Sequence, residues 1–367
     1  MSGRPSAQAP YWDKAERAWL ITRYKDAAFL LKSDDVAIVE VAAELARLAG
    51  RGGGAFPNLI LLFANSHPFQ NGAAHATARE ALKEMMSALQ RRWPAERIGD
   101  VVAGLLDGAG VQFDAVAHLA RTLPRRIVAD ALGMDEVDVH RCGALTREIT
   151  KVWQGTALPL RALRAMEEKA AEVVAVLTGL YGDARRRDFA RIALVAMAGT
   201  DTTAGLIGSA LHLLAGEGAL QDRLRREPAS IAGFVNETLR HRPPLRRILG
   251  RRTRKPIALS DTVLPADAFL IVDIESAHFD ADAFAQPEAF DPARSGPPLL
   301  AFGFGAHACV GAALARLEAR VLIERLLRGF TIHPAGDALR GDDRDWYEFL
   351  HLPVRLVPAL AKPRSLA

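Results

Sequence analysis

Residues 301–311 read AFGFGAHACVG, and this stretch decides the fold that the sequence predicts. It passes directly into a helical pattern that ends near Leu327, so Cys309 is predicted to lie at a helix N-terminus. The helix dipole and the free backbone N–H groups favour an anion at that position. Such a cysteine tends towards the thiolate, which is the form that binds metal ions. The three glycines of the stretch suit a tight loop whose backbone approaches something flat and bulky.

Cys309 has two simpler roles open to it, as a zinc ligand or as an ordinary core residue. No second Cys or His stands at zinc-ligand spacing from it, which argues against a four-ligand structural zinc site. A lone free cysteine is often an ordinary buried residue. The context favours a ligand, because six positions of the loop match one pattern together: Phe302, Gly303, Gly305, His307, Cys309 and Gly311.

These six residues resemble the haem-binding loop of the cytochrome P450 superfamily. Binding of the haem iron through a cysteine thiolate is a known property of that family. The resemblance implies that Cys309 is the axial iron ligand and that Phe302 packs against the proximal side of the haem. It also implies that His307 anchors a haem propionate, and that Gly303 and Gly311 belong to the cofactor-binding loop.

The composition narrows the class of protein. The chain has 367 residues, half of them apolar, and 47 basic against 43 acidic side chains for a net charge of +4. This excludes a disordered, collagen-like or disulfide-stapled protein, and so small a charge excess gives no reason to expect nucleic-acid binding. Two cysteines suit a reducing compartment, so we expect a cytoplasmic protein. The apolar runs fall short of the ~18 residues that a membrane span needs, so none is expected.

We expect one domain over residues 1–367, in which residues 1–15 form a flexible arm. Apolar residues three and four positions apart predict helices over residues 36–48, 75–93, 114–132, 161–181, 188–215, 230–241 and 309–327. Runs rich in Ile, Val and Leu predict strands over residues 18–24, 256–259, 268–273 and 352–356. The expected fold is therefore mainly α with small β-sheets, and the resemblance implies the cytochrome P450-like haem-thiolate fold.

A second motif lies in the helix predicted over residues 230–241. Glu237 and Arg240 are three positions apart on one helix face and can form an ion pair. Taken alone, such a pair is common on any solvated helix. In the family, an arginine before the cysteine loop joins this pair, and Arg294 stands at the matching place. The resemblance thus implies a structural triad of Glu237, Arg240 and Arg294 behind the loop.

His75 and Arg79 lie four positions apart on one helix face, which lets both side chains reach the same anionic group. Taken alone, they are an exposed helix pair. The resemblance implies that both bind the propionates of haem b, iron protoporphyrin IX. It implies the same role for Arg251, further along the chain.

The helix predicted over residues 188–215 carries three threonines and an aspartate at its centre, in the segment AGTDTT at residues 198–203. Polar groups inside an apolar helix are costly unless they have partners or a function. One interpretation is structural, since Thr hydroxyls can bond to carbonyls of the preceding turn and bend the helix. The resemblance implies another: Ala198 and Gly199 leave room for dioxygen beside the haem, while Asp201 and Thr202 relay protons. That pair favours a monooxygenase over a peroxide-driven relative.

The chain departs from the family in the region that covers the substrate. The family's N-terminal helix is largely absent and the segment between residues 181 and 188 is short, which predicts an open or partner-completed site. Residues 245–250 line the distal pocket in the family, and here they include Arg246, Arg247, Ile248 and Leu249. One hypothesis is that Arg246 or Arg247 meets a substrate carboxylate. The alternative is an ordinary solvated run of charge.

The resemblance implies a haem-thiolate monooxygenase that activates O2 and hydroxylates a small organic substrate in secondary metabolism. No dinucleotide-binding fingerprint occurs in the chain, so electrons from NAD(P)H are expected through a ferredoxin or flavodoxin and its reductase. We expect a monomer. One alternative is an atypical oxidation, such as aryl coupling or desaturation, on a carrier-bound or acidic substrate. Another is a haem-binding sensor without turnover, against which Asp201 and Thr202 argue.

Overall fold

The computed structural model describes residues 7–52, 54–150, 152, 158–259 and 261–359. Helices dominate this part of the chain, as the apolar periodicity of the sequence predicts. In chain order the α-helices are α1 Tyr24–Lys32, α2 Val41–Gly50, α3 Pro57–Ala64, α4 Gly72–Arg92, α5 Ala95–Asp107, α6 Thr122–Leu132, α7 Glu136–Ile149, α8 Leu160–Tyr181, α9 Phe189–Ala198, α10 Asp201–Gly216, α11 Gly218–Arg226, α12 Ile231–His241, α13 Ile274–His278 and α14 Ala312–Gly329.

The strands are short and form small sheets beside the helices, so the predicted mainly α fold with small β-sheets is confirmed. In chain order they are β1 Tyr11–Asp13, β2 Ala18–Ile21, β3 Val36–Ile38, β4 Gln112–Asp114, β5 Arg247–Thr253, β6 Ile257–Ala258, β7 Val263–Leu264, β8 Phe269–Asp273, β9 Phe330–Pro334, β10 Leu339–Arg340, β11 Phe349–His351 and β12 Pro353–Pro358.

The largest sheet has the order β1-β2-β8-β5-β3, with β2 and β8 parallel and the other pairs antiparallel. A second sheet has the order β4-β12-β9, and two strand pairs, β6-β7 and β10-β11, complete the set in the described residues. β8 reads FLIVD and is buried over most of its length, which suits an interior strand. The largest sheet therefore closes one side of the helical body.

The amino-terminal residues differ from the expected flexible arm. Residues 11–13 form β1, in which Tyr11 is paired with Leu20 and Trp12 with Trp19. The rings of Trp12 and Trp19 also meet edge to face, 6.3 Å between centroids. Residues 1–6 of the expected arm lie outside the described residues. The expectation is therefore wrong for residues 11–13, because aromatic cross-strand pairs hold them to the sheet.

Two apolar clusters fill the helical body. One cluster packs α5, α10, α12 and α14 together, with Leu211, Phe234 and Leu322 fully buried in it. The other packs α3, α7, α8 and α9 together around residues such as Phe189. Because α10 contacts α14, the helix with the central threonines lies against the helix that follows Cys309.

One described stretch, Asp183–Gly216, is long and apolar enough by composition to cross a bilayer. Its most apolar window is 72% buried inside the fold. A stretch buried to that extent serves as the core of a helical body, since its apolar side chains already contact protein. Its long apolar surface thus contributes to packing of α9 and α10 against their neighbours.

Several element boundaries differ from those that the periodicity predicts. The helix predicted over residues 114–132 is divided into the end of β4, a π-helix at Val116–Ala120 and α6. The helix predicted over residues 36–48 begins with strand β3, because Val36 and Ile38 pair with β5. The helix predicted over residues 188–215 is interrupted between α9 and α10, at Gly199 and Thr200. The charged run at residues 246–255 contains β5, which lies between β3 and β8 in the sheet rather than in solvent. In the short segment before α9, Asp183–Asp188 forms a 3-10 helix.

Candidate functional site

The loop before α14 is held in one conformation by glycine geometry and by one hydrogen bond. Gly303 and Gly305 have φ values of +65° and +67°, which side-chain-bearing residues rarely adopt. A Cβ atom on Gly305 would lie 2.7 Å from the carbonyl oxygen of Leu31, so the loop packs directly on the end of α1. The backbone N–H of Cys309 donates to the carbonyl oxygen of Phe302 at 2.7 Å. These contacts place Cys309 three residues before the start of α14.

Two opposing influences act on the sulfur of Cys309, and the net shift of its pKa is opposite to the thiolate tendency that the sequence predicts. The side chain is accessible, yet dense surroundings desolvate the thiol and raise its pKa above the ordinary value. The backbone N–H groups of Gly311 and Ala312, and the charges of Arg79 and Arg316, act in the opposite direction. A cation bound at the sulfur replaces the thiol proton outright, and these donors then stabilise the thiolate.

A buried ion-pair network lies behind the loop. Glu237 accepts hydrogen bonds from Arg240 (2.8 and 2.9 Å), from Arg294 (3.0 Å) and from the backbone N–H of Asp291 (3.0 Å). Burial alone would raise the pKa of Glu237, but these donors outweigh it and lower the pKa. Arg240 is fully buried, so the structure brings the three residues of the expected triad together where an unpaired charge would be costly.

His278 connects this network to the loop, and no motif in the sequence points to it. Its Nδ1–H donates to the carbonyl oxygen of Arg240 at 3.1 Å, and its Nε2 accepts the N–H of Leu300 at 2.8 Å. Arg240 in turn donates to the carbonyl oxygen of His278 at 2.8 Å. Burial lowers the pKa of His278 to about 3, so the ring is neutral and both nitrogens have fixed roles.

Four basic side chains lie close together beside the cysteine loop. Three of them come from other parts of the chain and the fourth from the loop itself: His75, Arg79, Arg251 and His307. The rings of His75 and His307 are 4.0 Å apart between centroids. Buried nitrogens of three of them, His75 Nε2, Arg79 Nη1 and His307 Nδ1, have no hydrogen-bond partner among the described residues. Burial lowers the pKa of Arg251 to about 10 and that of His307 to about 3.

This cluster carries donors without acceptors, since the described residues supply no carboxylate that pairs with Arg79 or Arg251. Such a set fits a group with two carboxylates and a metal, because the anions would bind the arginines and histidines while Cys309 binds the metal. Haem, with its iron and two propionates, has this composition. The residues present therefore fit the cofactor that the sequence implies.

The segment between α9 and α10 combines a close packing contact with two hydroxyl bonds. A Cβ atom on Gly199 would lie 2.8 Å from the carbonyl oxygen of Val195 and 2.9 Å from the side chain of Val128, so only glycine fits. Thr200 and Thr202 donate their hydroxyls to the carbonyl oxygens of Ala196 (2.6 Å) and Ala198 (2.7 Å). Threonine back-bonding is thus present at the break between α9 and α10, as the structural interpretation of this segment predicts.

Asp201 lies next to a residue pair that the sequence does not point to. Arg147 of α7 binds Glu348 through two hydrogen bonds of 3.0 and 2.5 Å, and its Nη1 is 3.8 Å from Asp201 Oδ2. Burial raises the pKa of Asp201, the charge of Glu348 raises it further, and Arg147 opposes both. These residues are far apart in sequence and follow no motif, so only the fold reveals them.

The residues expected to meet the substrate are engaged within the protein. Arg246 donates to Glu275 at 2.6 Å. Arg247 is 8% exposed and binds both Asp345 and Glu16, while Ile248 pairs with Val272 in the sheet. The structure therefore does not support the hypothesis that Arg246 or Arg247 binds a substrate carboxylate, because internal carboxylates already neutralise them. Leu249 packs against the small cluster around Ile271 instead.

Comparisons with known proteins agree with this geometry. The family model described as Cytochrome P450 matches residues 189–356. The erythromycin C-12 hydroxylase of Saccharopolyspora erythraea is 29% identical, with 96% of this chain and 92% of that protein aligned. Among solved structures, a mutant of P450 EryK in complex with erythromycin B is 25% identical, with a TM-score of 0.79 and coverage of 98% of this chain and 95% of that one.

A further solved structure is similar in fold. P450BioI in complex with an acyl carrier protein ligated to hexadec-9Z-enoic acid has a TM-score of 0.81 at 22% identity, with 95% of each chain covered. The likeness extends over nearly the whole chain in each of these relatives. The residues that the family model matches include the cysteine loop and the segment between α9 and α10.

Proposed function

The chain belongs to the cytochrome P450 superfamily, bacterial type, and from this premise we propose a monooxygenase that hydroxylates a small organic substrate in secondary metabolism. The observation that carries the proposal is the position of Cys309 at the start of α14, beside buried histidine and arginine nitrogens without partners among the described residues. Relatives named as hydroxylases support the class of reaction.

Three groups of residues would hold haem b. Cys309 would bind the iron, with the N–H groups of Gly311 and Ala312 stabilising the thiolate. His75, Arg79, Arg251 and His307 would bind the propionates, and Phe302 and Gly303 would shape the proximal loop. When bound, the haem supplies the redox chemistry by which O2 is reduced and the substrate is oxidised.

Asp201 and Thr202 would handle protons. Burial raises the pKa of Asp201, which favours its protonated form, and a protonated carboxyl can pass on a proton as a general acid. The Thr202 hydroxyl, bound to the carbonyl oxygen of Ala198, keeps its acceptor lone pairs for a proton arriving from Asp201 through water. Ala198 and Gly199 would leave room for O2, although packing against Val128 already accounts for the glycine at position 199.

Bacterial members of the family work with a ferredoxin and its reductase and act on small substrates. We propose that electrons from NAD(P)H reach this protein through a ferredoxin or flavodoxin. The chain would work as a single domain over residues 1–367, as a monomer in the cytoplasm. Residues 1–6 and 360–367 lie outside the described residues.

The absorption spectrum of the reduced protein under carbon monoxide tests the proposal. Wild-type protein reconstituted with haemin should show the long-wavelength Soret band of thiolate ligation. Cys309→Ser should lose that band while keeping a folded far-ultraviolet circular dichroism spectrum. Cys142→Ser is the matched control, since Cys142 is the other free cysteine and is buried in the cluster around α7. A band that survives in Cys309→Ser would show that the ligand assignment is wrong.

The type of oxidation is tested by turnover under oxygen-18-labelled O2 with the two electron-transfer partners. Hydroxylation adds one labelled oxygen atom to the product, which mass spectrometry detects. A product that lacks two hydrogens and carries no label would instead support desaturation. NAD(P)H oxidation without any product, for every substrate tried, would favour the haem-binding sensor.

A further inference from the structure

A cavity of about 420 Å³ lies between α4, the loop that precedes α4 and the start of α9. Its volume falls within the range of roughly 300–1,000 Å³ that is typical of small-molecule sites. The α4 wall consists of small residues, Ala74, Ala78 and Ala81, which leave the space open. The opposite wall carries Arg187 and Arg191. None of these residues belongs to the site described above.

The charge of this cavity is positive, because one arginine in it is unpaired. Of three consecutive arginines, Arg185 pairs with Asp188 at 3.2 Å and Arg186 pairs with Asp183 at 3.3 Å. Arg187 lines the cavity and has no ion pair among the described residues. Asp188, the one carboxylate of the described lining, is also shared with Arg191 at 2.7 Å. An incoming anion would therefore meet two guanidinium groups and one already occupied carboxylate.

Uncharged donors complete the lining. The side chains of Asn65 and Thr77 face the cavity and make no hydrogen bond within the described residues. His67 also lines it, with its ring 6.1 Å from that of His75. Burial lowers the pKa of His67 to about 4, so its neutral ring offers one N–H. Oxyanions are bound by sets of this kind, in which arginines supply charge and neutral donors supply further hydrogen bonds.

The cavity has an apolar wall on α9. Leu194 lines it, and lies four residues before Ala198, about 6 Å along the helix axis. Arg191 lies about 10 Å from Ala198 by the same rise per residue. A ligand anchored by Arg187 and Arg191 would thus direct an apolar stem past Leu194, towards the break between α9 and α10.

We propose that this cavity binds the oxyanion of the substrate, a carboxylate or phosphate, through Arg187 and Arg191, and that the apolar stem of the substrate follows α9 towards Gly199. This inference rests on the proposed function, because it names the class of substrate for the same site. In place of Arg246 and Arg247, which internal carboxylates occupy, it names Arg187, which has no ion pair among the described residues, and Arg191, which shares the single carboxylate of Asp188 with Arg185.

The test uses haem-loaded protein that already shows the thiolate carbon monoxide band, so failure of the proposed function is detected first. Sodium dodecanoate, dodecyl phosphate and methyl dodecanoate are titrated, and the Kd of each is measured from the spin-state change of the Soret band and by calorimetry. At least one anion should bind about tenfold more tightly than the ester, which corresponds to about 1.4 kcal/mol. The ratio of the two anions then identifies the preferred oxyanion.

Two variants test whether Arg187 and Arg191 cause the preference for the anion over the ester. The double variant Arg187→Gln, Arg191→Gln should bind anion and ester equally, with the carbon monoxide band unchanged. Arg186→Gln is the matched control, because Arg186 belongs to the same run but pairs with Asp183 and does not line the cavity; it should keep the tenfold preference.

Three results would overturn the inference. The wild-type protein could bind the anions and the ester equally. The double variant could keep the preference for the anion. Finally, dodecanoate could bind haem-free protein and be displaced on loading with haemin, which would assign the cavity to the haem itself.

Discussion

The Nη1 atom of Arg147 lies 3.8 Å from Oδ2 of Asp201, while the same guanidinium holds Glu348 in two hydrogen bonds. Glu348 thereby opposes Arg147, because its charge raises the pKa of Asp201 while that of Arg147 lowers it. Arg147 also stacks over the ring of Trp346, 4.3 Å from its centroid, which fixes the guanidinium in place. Arg147 and Glu348 thus influence the pKa of Asp201, the acid expected to relay protons, without taking part in the relay themselves.

Glu348→Gln should lower the pKa of Asp201, since a charge that raises it is removed and Arg147 is left to act on Asp201 alone. If product formation needs the protonated carboxyl of Asp201, activity would then be lost at a lower pH than in the wild type. The alkaline limb of the pH profile of kcat should move to lower pH in Glu348→Gln. Asp342→Asn, an acid on the same loop, should leave the profile unchanged.

A double-mutant cycle separates this effect from a change of fold. In the Asp201→Asn background, Glu348→Gln should no longer move the profile, because the titrating group is gone. A shift of equal size in both backgrounds would contradict the role given to Glu348.

Arg251→Met should weaken haem binding and stabilise the haem-free protein. Burial lowers the pKa of Arg251 to about 10, and the described residues give it no counter-charge. Removing a charge-assisted contact to a propionate should cost about tenfold in haem affinity, close to the ~1.5–3 kcal/mol known for such bonds. The free energy of unfolding of the haem-free protein should rise by about 1 kcal/mol, because a poorly solvated cation is removed.

Haemin titration and urea unfolding measure the two effects of Arg251→Met. Arg254→Met, an exposed arginine just beyond the same strand, is the control and should change neither quantity. If Arg251→Met lowered the stability of haem-free protein and left haem affinity intact, Arg251 would be a structural residue only.

His278→Gln should make the free energy of unfolding fall less steeply as the pH is lowered. The pKa of His278 is lowered to about 3 in the folded protein, against 6.5 for an ordinary histidine. As pH falls below 6.5, the unfolded chain takes up a proton that the folded chain does not, so stability present above pH 6.5 is lost towards pH 3. The wild type should lose up to about 1.4 kcal/mol per pH unit through this group.

Urea unfolding between pH 7 and pH 4 measures that slope. His278→Gln is destabilised at every pH because two hydrogen bonds change, yet its slope should be shallower than that of the wild type. His333→Gln on β9, which is partly exposed, provides the comparison. Parallel pH curves for the wild type and His278→Gln would show that the ring titrates in the folded protein as it does in the unfolded chain.

Glu237→Gln should be among the most destabilising single changes in the chain. It leaves Arg240, which is fully buried, and Arg294 without their shared counter-charge. Breaking a buried pair from one side costs about 3–5 kcal/mol. Guanidinium chloride unfolding should show this loss, with the exposed Glu227→Gln as control. A loss below about 1 kcal/mol would mean that water or other groups compensate the two arginines.

Local spacing in the sequence predicts only part of the site. Cys309 precedes a helix, and Glu237 and Arg240 share a helix face, because helical periodicity alone sets both relations. Strand β5 is not predicted in this way, because its three arginines are typical of a solvated run of charge. In the fold, carboxylates from elsewhere meet the charges of two of these arginines: Glu16 and Asp345 pair with Arg247, and Asp267 pairs with Arg252.

Relations between distant parts of the chain are not predictable from spacing. The 4.0 Å contact of His75 with His307 joins α4 to the cysteine loop, and the family resemblance alone suggests that both serve one ligand. Neither the pairing of Arg147 with Glu348 nor the two hydrogen bonds of the His278 ring follows any spacing rule. They arise from packing of whole elements, so a single sequence carries no local signal for them.

The close packing of Gly305 on Leu31 links two distant parts of the chain. Lys32 also reaches over the ring of Phe304, so the end of α1 touches the cysteine loop at two adjacent points. The loop is therefore supported by a helix that lies far from it in the sequence. A change that displaces the end of α1 should for this reason disturb the conformation of the cysteine loop.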